Sequence, residues 1–229
     1  MTRRVWNLYR LTSLLFWRGL PGGMVLVFLV TSIGLSERNA NGTASESFFL
    51  EDFRQSDGNG FPQGWEAQRS KVSASESYQI RQEGDVTYLE AKAANQRVYT
   101  KQIAWNPKTH PILSWRWRVR SVPKDAEFIA AVYPSLDVDF LFIPVNTKYV
   151  WSHKKSVGTV TEGGMFGSTE IVIRSGADLI GEWVEEKINV YEDFKEIHQH
   201  EPAEKAWGIS LLGGQGVEID FGAFEVRAQ

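Results

Sequence analysis

The stretch Pro111-Ile112-Leu113-Ser114-Trp115-Arg116-Trp117-Arg118-Val119-Arg120, PILSWRWRVR, decides the fold. Its period is two. Successive side chains of a strand point to opposite faces. Leu113, Trp115, Trp117 and Val119 therefore share one face, and Ser114, Arg116, Arg118 and Arg120 share the other. The tryptophan face belongs in a core, where burying each large aromatic contributes on the order of 2–3 kcal/mol. The arginine face has two readings. It is a solvent face quieted by cross-strand acids, for which the chain offers Glu218 and Asp220 near its end and Glu182 and Glu186 before them. Or it is a working surface, an open concave sheet face that binds a polyanion or a carbohydrate.

The rest of the chain repeats the strand signal. From Phe48 onward, short β-rich runs recur between turn clusters such as DGNGFPQG, NPKTHP, TEGG and GGQG. Among them are SFFLEDF (47–53), VTYLEAKA (86–93), RVYTKQIAW (97–105), EFIAAVY (127–133), TKYVWS (147–152), TEIVIRS (169–175), EWVEEKI (182–188) and VEIDFGAFEV (217–226). One short helix is expected at Asn189–Gln199, with Asn189 as cap, Glu192 at the capping-box position and Val190, Phe194 and Ile197 on one side. Many short strands without long helices predict a mainly all-β fold, an antiparallel β-sandwich of jelly-roll type.

Composition bounds the function. The chain has 229 residues, 42% hydrophobic, enough for one good core. It has no cysteine, which excludes disulfides and cysteine-ligated metal. Before Glu37 stand Arg3, Arg4, Arg10 and Arg18 and no acid; from Glu37 onward 21 basic and 28 acidic residues give a formal charge of −7. Such a body is a poor nucleic-acid binder, because phosphate contacts need a basic surface. Residues 20–35 carry no charge, and Met24–Val30 is continuously apolar. Arginines ahead of an apolar run and polar residues behind it are the pattern of an export signal. Residues 1–36 are expected to be a signal peptide or a retained signal anchor, 37–46 a polar linker and 47–229 a single β-sandwich domain. The body then lies outside the cytoplasmic membrane, periplasmic or anchored to the inner membrane and facing the periplasm. Contact with the membrane is made only by the N-terminal segment, if it is kept.

Candidate chemistry is sparse. His198-Gln199-His200 would place two imidazoles on one face of a strand, but the pair follows the expected helix and precedes Glu201-Pro202, a loop context. Asp137-Val138-Asp139 has the carboxylate spacing of calcium loops without their glycine and terminal glutamate. No metal or cofactor is assigned. The chain has no G-x-S-x-G, G-x-x-x-x-G-K-[ST] or H-E-x-x-H run, and no catalytic residue is assigned. Sugar sites combine a flat aromatic ring with polar groups that fix orientation. Tyr149 and Trp151 share a strand face, as do Trp183 and Glu185. The expected ligand-binding set is Arg116, Arg118, Tyr149, Trp151, Trp183 and Glu185.

Three stretches carry a family likeness: LEDF with FPQGWE (Leu50–Phe53, Phe61–Glu66), PILSWRWRV (Pro111–Val119), and KYVWS…VGT with IVIRSGADLIGEWVEEKINVYEDFKEI (Lys148–Thr159, Ile171–Ile197). Together they resemble a bacterial envelope family, domain of unknown function 3047. The resemblance implies an exported, mostly β, jelly-roll-like domain and supplies no catalytic residues. Where members of that family tend to carry acidic GDD…R and DTDNT runs, this chain reads PKDAEFIAAVY and LLGGQG (Leu211–Gly216), so a cation site built on those acids is not expected here. Three functions are open: a non-catalytic binding domain for a glycan or cell-wall polymer, an assembly factor that uses its sheet face on a partner envelope protein, and a cryptic hydrolase.

Overall fold

A computed structural model of the chain describes residues 46–100, 103–138, 141, 143–163 and 167–229. The expected signal segment, nearly all of the linker, and Asp139 lie outside the described residues. The elements follow in chain order: β1 (Ser47–Glu51), β2 (Glu66–Ala67), α1 (Lys71–Ser77), β3 (Tyr78–Glu83), β4 (Val86–Lys92), β5 (Val98–Tyr99), β6 (Ile112–Ser121), β7 (Phe128–Val138), β8 (Pro144–Ser152), β9 (Val160–Thr161), β10 (Thr169–Ser175), β11 (Val184–Asn189), α2 (Val190–His198), β12 (Gly208–Gly213) and β13 (Glu218–Arg227).

Two sheets face each other. One has the order β11-β6-β13-β4-β3, with β1 also on β13; the other runs β2-β5-β12-β7-β8-β10-β9. Strands distant in sequence are neighbours, as in a jelly roll. The expected sandwich is observed. Among the described residues one pair departs from antiparallel: β10 runs parallel to β8.

PILSWRWRVR forms β6, and its apolar face is the centre of the core. Leu113, Trp115, Trp117 and Val119 are 0–2% exposed. Trp117 meets Trp151 of β8 with ring centroids 5.4 Å apart, and Trp115 meets Tyr149 at 6.1 Å. Buried indole N–H groups need acceptors. Trp151 Nε1 donates to the Gly176 carbonyl at 2.8 Å, and Trp117 Nε1 to Glu186 Oε1 at 3.0 Å. The same Glu186 oxygen accepts from Arg174 Nε at 2.5 Å, so an ion pair ties β11 of one sheet to β10 of the other.

That geometry corrects part of the pairing expected for the arginines. Glu186 stands opposite Trp115 in the β11–β6 register and so lies on the inner face. Glu218 pairs with Lys92 at 2.6 Å, and Glu182 is exposed ahead of β11 with no ion pair among the described residues. Asp220 alone of the four meets the arginines.

The expected helix is present as α2. The Asn189 side chain accepts from Glu192 N at 3.1 Å, Val190 and Phe194 are buried, and Gln199 closes the helix at φ 59°. A second helix, α1, was not expected. Its sequence KVSASES buries only Ala74, so no apolar stripe marks it; Ser70 caps it through Ser73 N at 3.3 Å.

Candidate functional site

The outer face of the six-stranded sheet carries the arginines of β6, and aromatic rings separate them. Arg116 Cζ lies 5.0 Å from the centre of the Trp183 ring, and Arg118 Cζ lies 4.5 Å from the same ring. Arg118 is also 5.3 Å from the Tyr88 ring, and Arg120 is 5.9 Å from it. Guanidiniums stack on aromatic faces because the ring quadrupole attracts the cation. Trp183 reaches this row because it directly precedes β11, whose register puts Glu185 opposite Arg116.

Burial and pairing split the row. Arg118 is only 6% exposed, not the solvated residue that its strand face suggested. It is held between Trp183 and Tyr88. Its Nε donates to Asp220 Oδ2 at 2.9 Å and a terminal nitrogen to Glu83 Oε2 at 2.7 Å. Arg120 Nε also donates to Asp220 Oδ2, at 2.6 Å. Asp220 is fully buried, and that burial pushes its carboxyl above the ordinary value against the pull of both guanidiniums. Glu83, in contrast, is held low by its hydrogen bond to Arg118. These two arginines are committed to the protein itself. Arg116 and Glu185 are exposed, and neither has an ion pair among the described residues.

A groove opens beside Arg116, and its cause is topological. Along one edge, β13 pairs with β4 through Glu218–Phe221 and with β1 through Phe224–Arg227. At the changeover β13 bulges: Phe221 faces Trp117 and Phe224 faces Trp115, which leaves Gly222 and Ala223 against Arg116 alone. A bulge bends its strand and re-aims neighbouring side chains. A Cβ on Gly222 would sit 2.7 Å from Arg116 Cγ, so the glycine makes room for the arginine stem. The resulting groove has a volume of about 350 Å³ and is walled by Phe49, Asp85, Thr87, Arg116, Glu185 and Glu225. Phe49 is 60% exposed.

The structure does not bring the six expected residues together. Arg116 and Glu185 line the groove, and Trp183 stands beside it through its stacking on Arg116 and Arg118. Tyr149 and Trp151 lie in the core at 0% and 1% exposure, because the apolar face of β8 is the one turned to the tryptophans of β6. Tyr149 instead donates to Asp193 Oδ2 of α2 at 2.9 Å, and burial lifts the Asp193 carboxyl. Phe49, Asp85 and Thr87 were missed. The consecutive Phe48-Phe49 was a usable signal, since in a strand one of two adjacent rings must face outward. His198 and His200 have ring centres 6.2 Å apart, and no group of three metal-ligating side chains occurs among the described residues.

A model described as "Protein of unknown function (DUF3047)" matches residues 63–130 and 143–212. The chain belongs to that family. The match to DUF3047 spans Arg116, Arg118, Trp183 and Glu185 but not Phe49 or Glu225. No curated relative matches this DUF3047 chain. Solved structures resemble it distantly. The family 11 carbohydrate-binding module of the cellulosomal cellulase Lic26A-Cel5E of Clostridium thermocellum is 8% identical, with 82% of this chain and 97% of that chain covered and a TM-score of 0.44. The K1 cleaved adhesin domain of Lys-gingipain from Porphyromonas gingivalis W83 is 13% identical, with 81% and 98% covered and a TM-score of 0.41. The CBM22-1 xylan-binding domain of Paenibacillus barcinonensis Xyn10C is 10% identical, with 81% and 97% covered and a TM-score of 0.37. These are likenesses of strand layout and assign no ligand.

Proposed function

We propose that this DUF3047 chain is an exported, non-catalytic protein of the cell envelope that binds a glycan or cell-wall polymer in the outer-face groove. The observation that carries the reading is the state of Arg116 and Glu185. The Arg116 guanidinium is stacked on Trp183, Glu185 stands opposite it, both lack ion pairs among the described residues, and the exposed Phe49 ring lies along the same groove. A planar donor fork, a carboxylate acceptor and a flat ring are what vicinal hydroxyls and the apolar face of a pyranose require. The reading assigns no catalytic residue, and binding through Arg116 and Glu185 requires none.

The reading is tested by titrating the full-length chain with an oligosaccharide panel in a calorimeter. Arg116→Ala and Glu185→Gln should each weaken binding about tenfold, or about 1.4 kcal/mol. Tyr149→Phe should leave affinity unchanged, because that ring is in the core. Wild-type affinity in both groove variants would remove the groove as the site, and capture of an envelope protein by this face would then be the better account.

Export is supported by the arginine-flanked apolar run before the linker. An alkaline phosphatase fused after Gln229 should be active, and a reporter that works only in the cytoplasm should be silent. The opposite pair of results would place the body in the cytoplasm.

A further inference from the structure

The arginine row invites the idea of an anion site, and the structure closes it. Arg118 and Arg120 share the buried carboxylate of Asp220, and both reach Glu83 as well. Arg118 is enclosed, and the charge of the more exposed Arg120 is already met by Asp220 and Glu83, which weakens the pull of either on a phosphate, sulfate or uronate. What remains along the groove is Arg116 and Arg54 against Asp52, Asp85, Glu185 and Glu225. Arg54 lies 3.5 Å from Asp52, and Glu225 lies 3.7 Å from Arg227, which leaves Asp85 and Glu185 against Arg116. Carboxylates therefore outnumber guanidiniums where a ligand would lie, and the body behind them carries −7. With a screening length of about 8 Å at physiological salt, the groove's own charges decide the local field.

We infer that the groove takes an uncharged, hydroxyl-rich glycan segment and rejects acidic polymers. The inference rests on the reading of this groove as a glycan site and narrows it to one ligand class. Sugar hydroxyls are both donors and acceptors, so they satisfy Glu185 and Asp85 as donors and Arg116 as acceptors without bringing a net charge into the groove. The Phe49 ring, 60% exposed on a strand whose next residues are half-buried, offers the apolar face that a pyranose ring needs. The groove volume, about 350 Å³, is near the lower end of ligand sites and suits roughly a disaccharide held at any one time.

The test uses the full-length chain and five probes: neutral hexamers of glucose, mannose and N-acetylglucosamine, the hexamer of galacturonate, and the hexamer of glucosamine. Affinity is measured at low and at high salt. At least one neutral hexamer should bind with an affinity that changes less than about twofold between the two salts, since no ion pair is screened. Phe49→Ala should weaken that binding about tenfold, and the exposed position keeps the fold intact. Tighter binding of galacturonate or glucosamine than of every neutral hexamer would overturn the inference. If Arg116→Ala then abolished the charged ligand's binding, the groove would still be the glycan site, and only the ligand class would be wrong. If none of the five binds, both the inference and the glycan reading beneath it fail.

Discussion

Arg116 and Arg118 sit two residues apart on one face of β6 and stack on the same Trp183 ring, but they differ in burial and in ion pairing. Arg118 is buried, shares Asp220 with Arg120 and contacts Glu83. Breaking a buried ion pair leaves an uncompensated charge and costs about 3–5 kcal/mol. Arg120 stays on the same Asp220 oxygen, so Arg118→Ala should fall at the low end, about 3 kcal/mol. Arg116→Ala should cost under about 1 kcal/mol, the range of an exposed cation–π contact. Urea unfolding of both variants measures this, and equal costs would contradict the pairing. The tryptophans offer a second contrast. Trp117 Nε1 is bonded to buried Glu186, whereas Trp115 Nε1 is buried with no partner among the described residues. Trp117→Phe removes a donor from a buried carboxylate and should destabilise by about 1–3 kcal/mol more than Trp115→Phe. The period of two in the sequence is enough to assign the faces of all four residues. It could not reveal that Arg118 is covered, because the ring above it, Trp183, comes from a segment distant in sequence. Tyr149 and Trp151 were misplaced for a different reason: in β8 both faces carry apolar residues, and alternation names a shared face but not which face is inside.

At the scale of elements, the bulge in β13 makes the site. Gly222→Ala brings a methyl carbon to 2.7 Å from Arg116 Cγ and 3.3 Å from the Arg116 carbonyl oxygen. The arginine stem is flexible, so the fold should survive while Arg116 leaves its place over Trp183. Glycan affinity should drop about tenfold with stability changed by less than about 1 kcal/mol. Parallel loss of both would mean that the bulge serves folding alone. The helix α2 was legible because its cap and apolar spacing are both written locally. Asn189→Ala should cost about 1 kcal/mol through the lost bond to Glu192 N. The αL position at its C-terminus holds Gln199, at φ 59°. Gln199→Gly should stabilise by about 0.5–1 kcal/mol, since glycine adopts that conformation without strain. α1 was illegible by the same logic, as a short polar run with one buried alanine. The groove was illegible too: it depends on β1 and β4 meeting different halves of β13, and strand pairing of that range is not encoded in any local pattern.

For the whole molecule, the sandwich follows from strand count and from the tryptophan face of β6, whereas the parallel pairing of β8 with β10 carries no local sign. The acid response of the molecule also follows from packing. His198 lies against Phe194 and near Thr147, with His200 and Asp137 as its titratable neighbours. Burial, and then His200, hold its pKa below the ordinary 6.5. A histidine depressed in the folded state takes its proton first in the unfolded chain. Stability should therefore be full above pH 6.5 and fall as pH drops from there to the folded pKa. Melting curves of wild type and His198→Gln across that range should diverge, and parallel curves would assign the acid sensitivity to other groups. The central claim is that the ligand surface is the Trp183 side of the six-stranded sheet and not the Trp151 side, which is core. The most direct measurement is the indole N–H region of a ¹H–¹⁵N spectrum, with the nine tryptophan signals assigned by substitution, while a binding neutral hexamer is added. Because Trp183 stacks on Arg116 beside the groove, its signal should shift saturably with Trp151 and Trp105 unmoved; a shift of Trp151 without Trp183, or none at Trp183 under saturating ligand, would move the ligand off this surface.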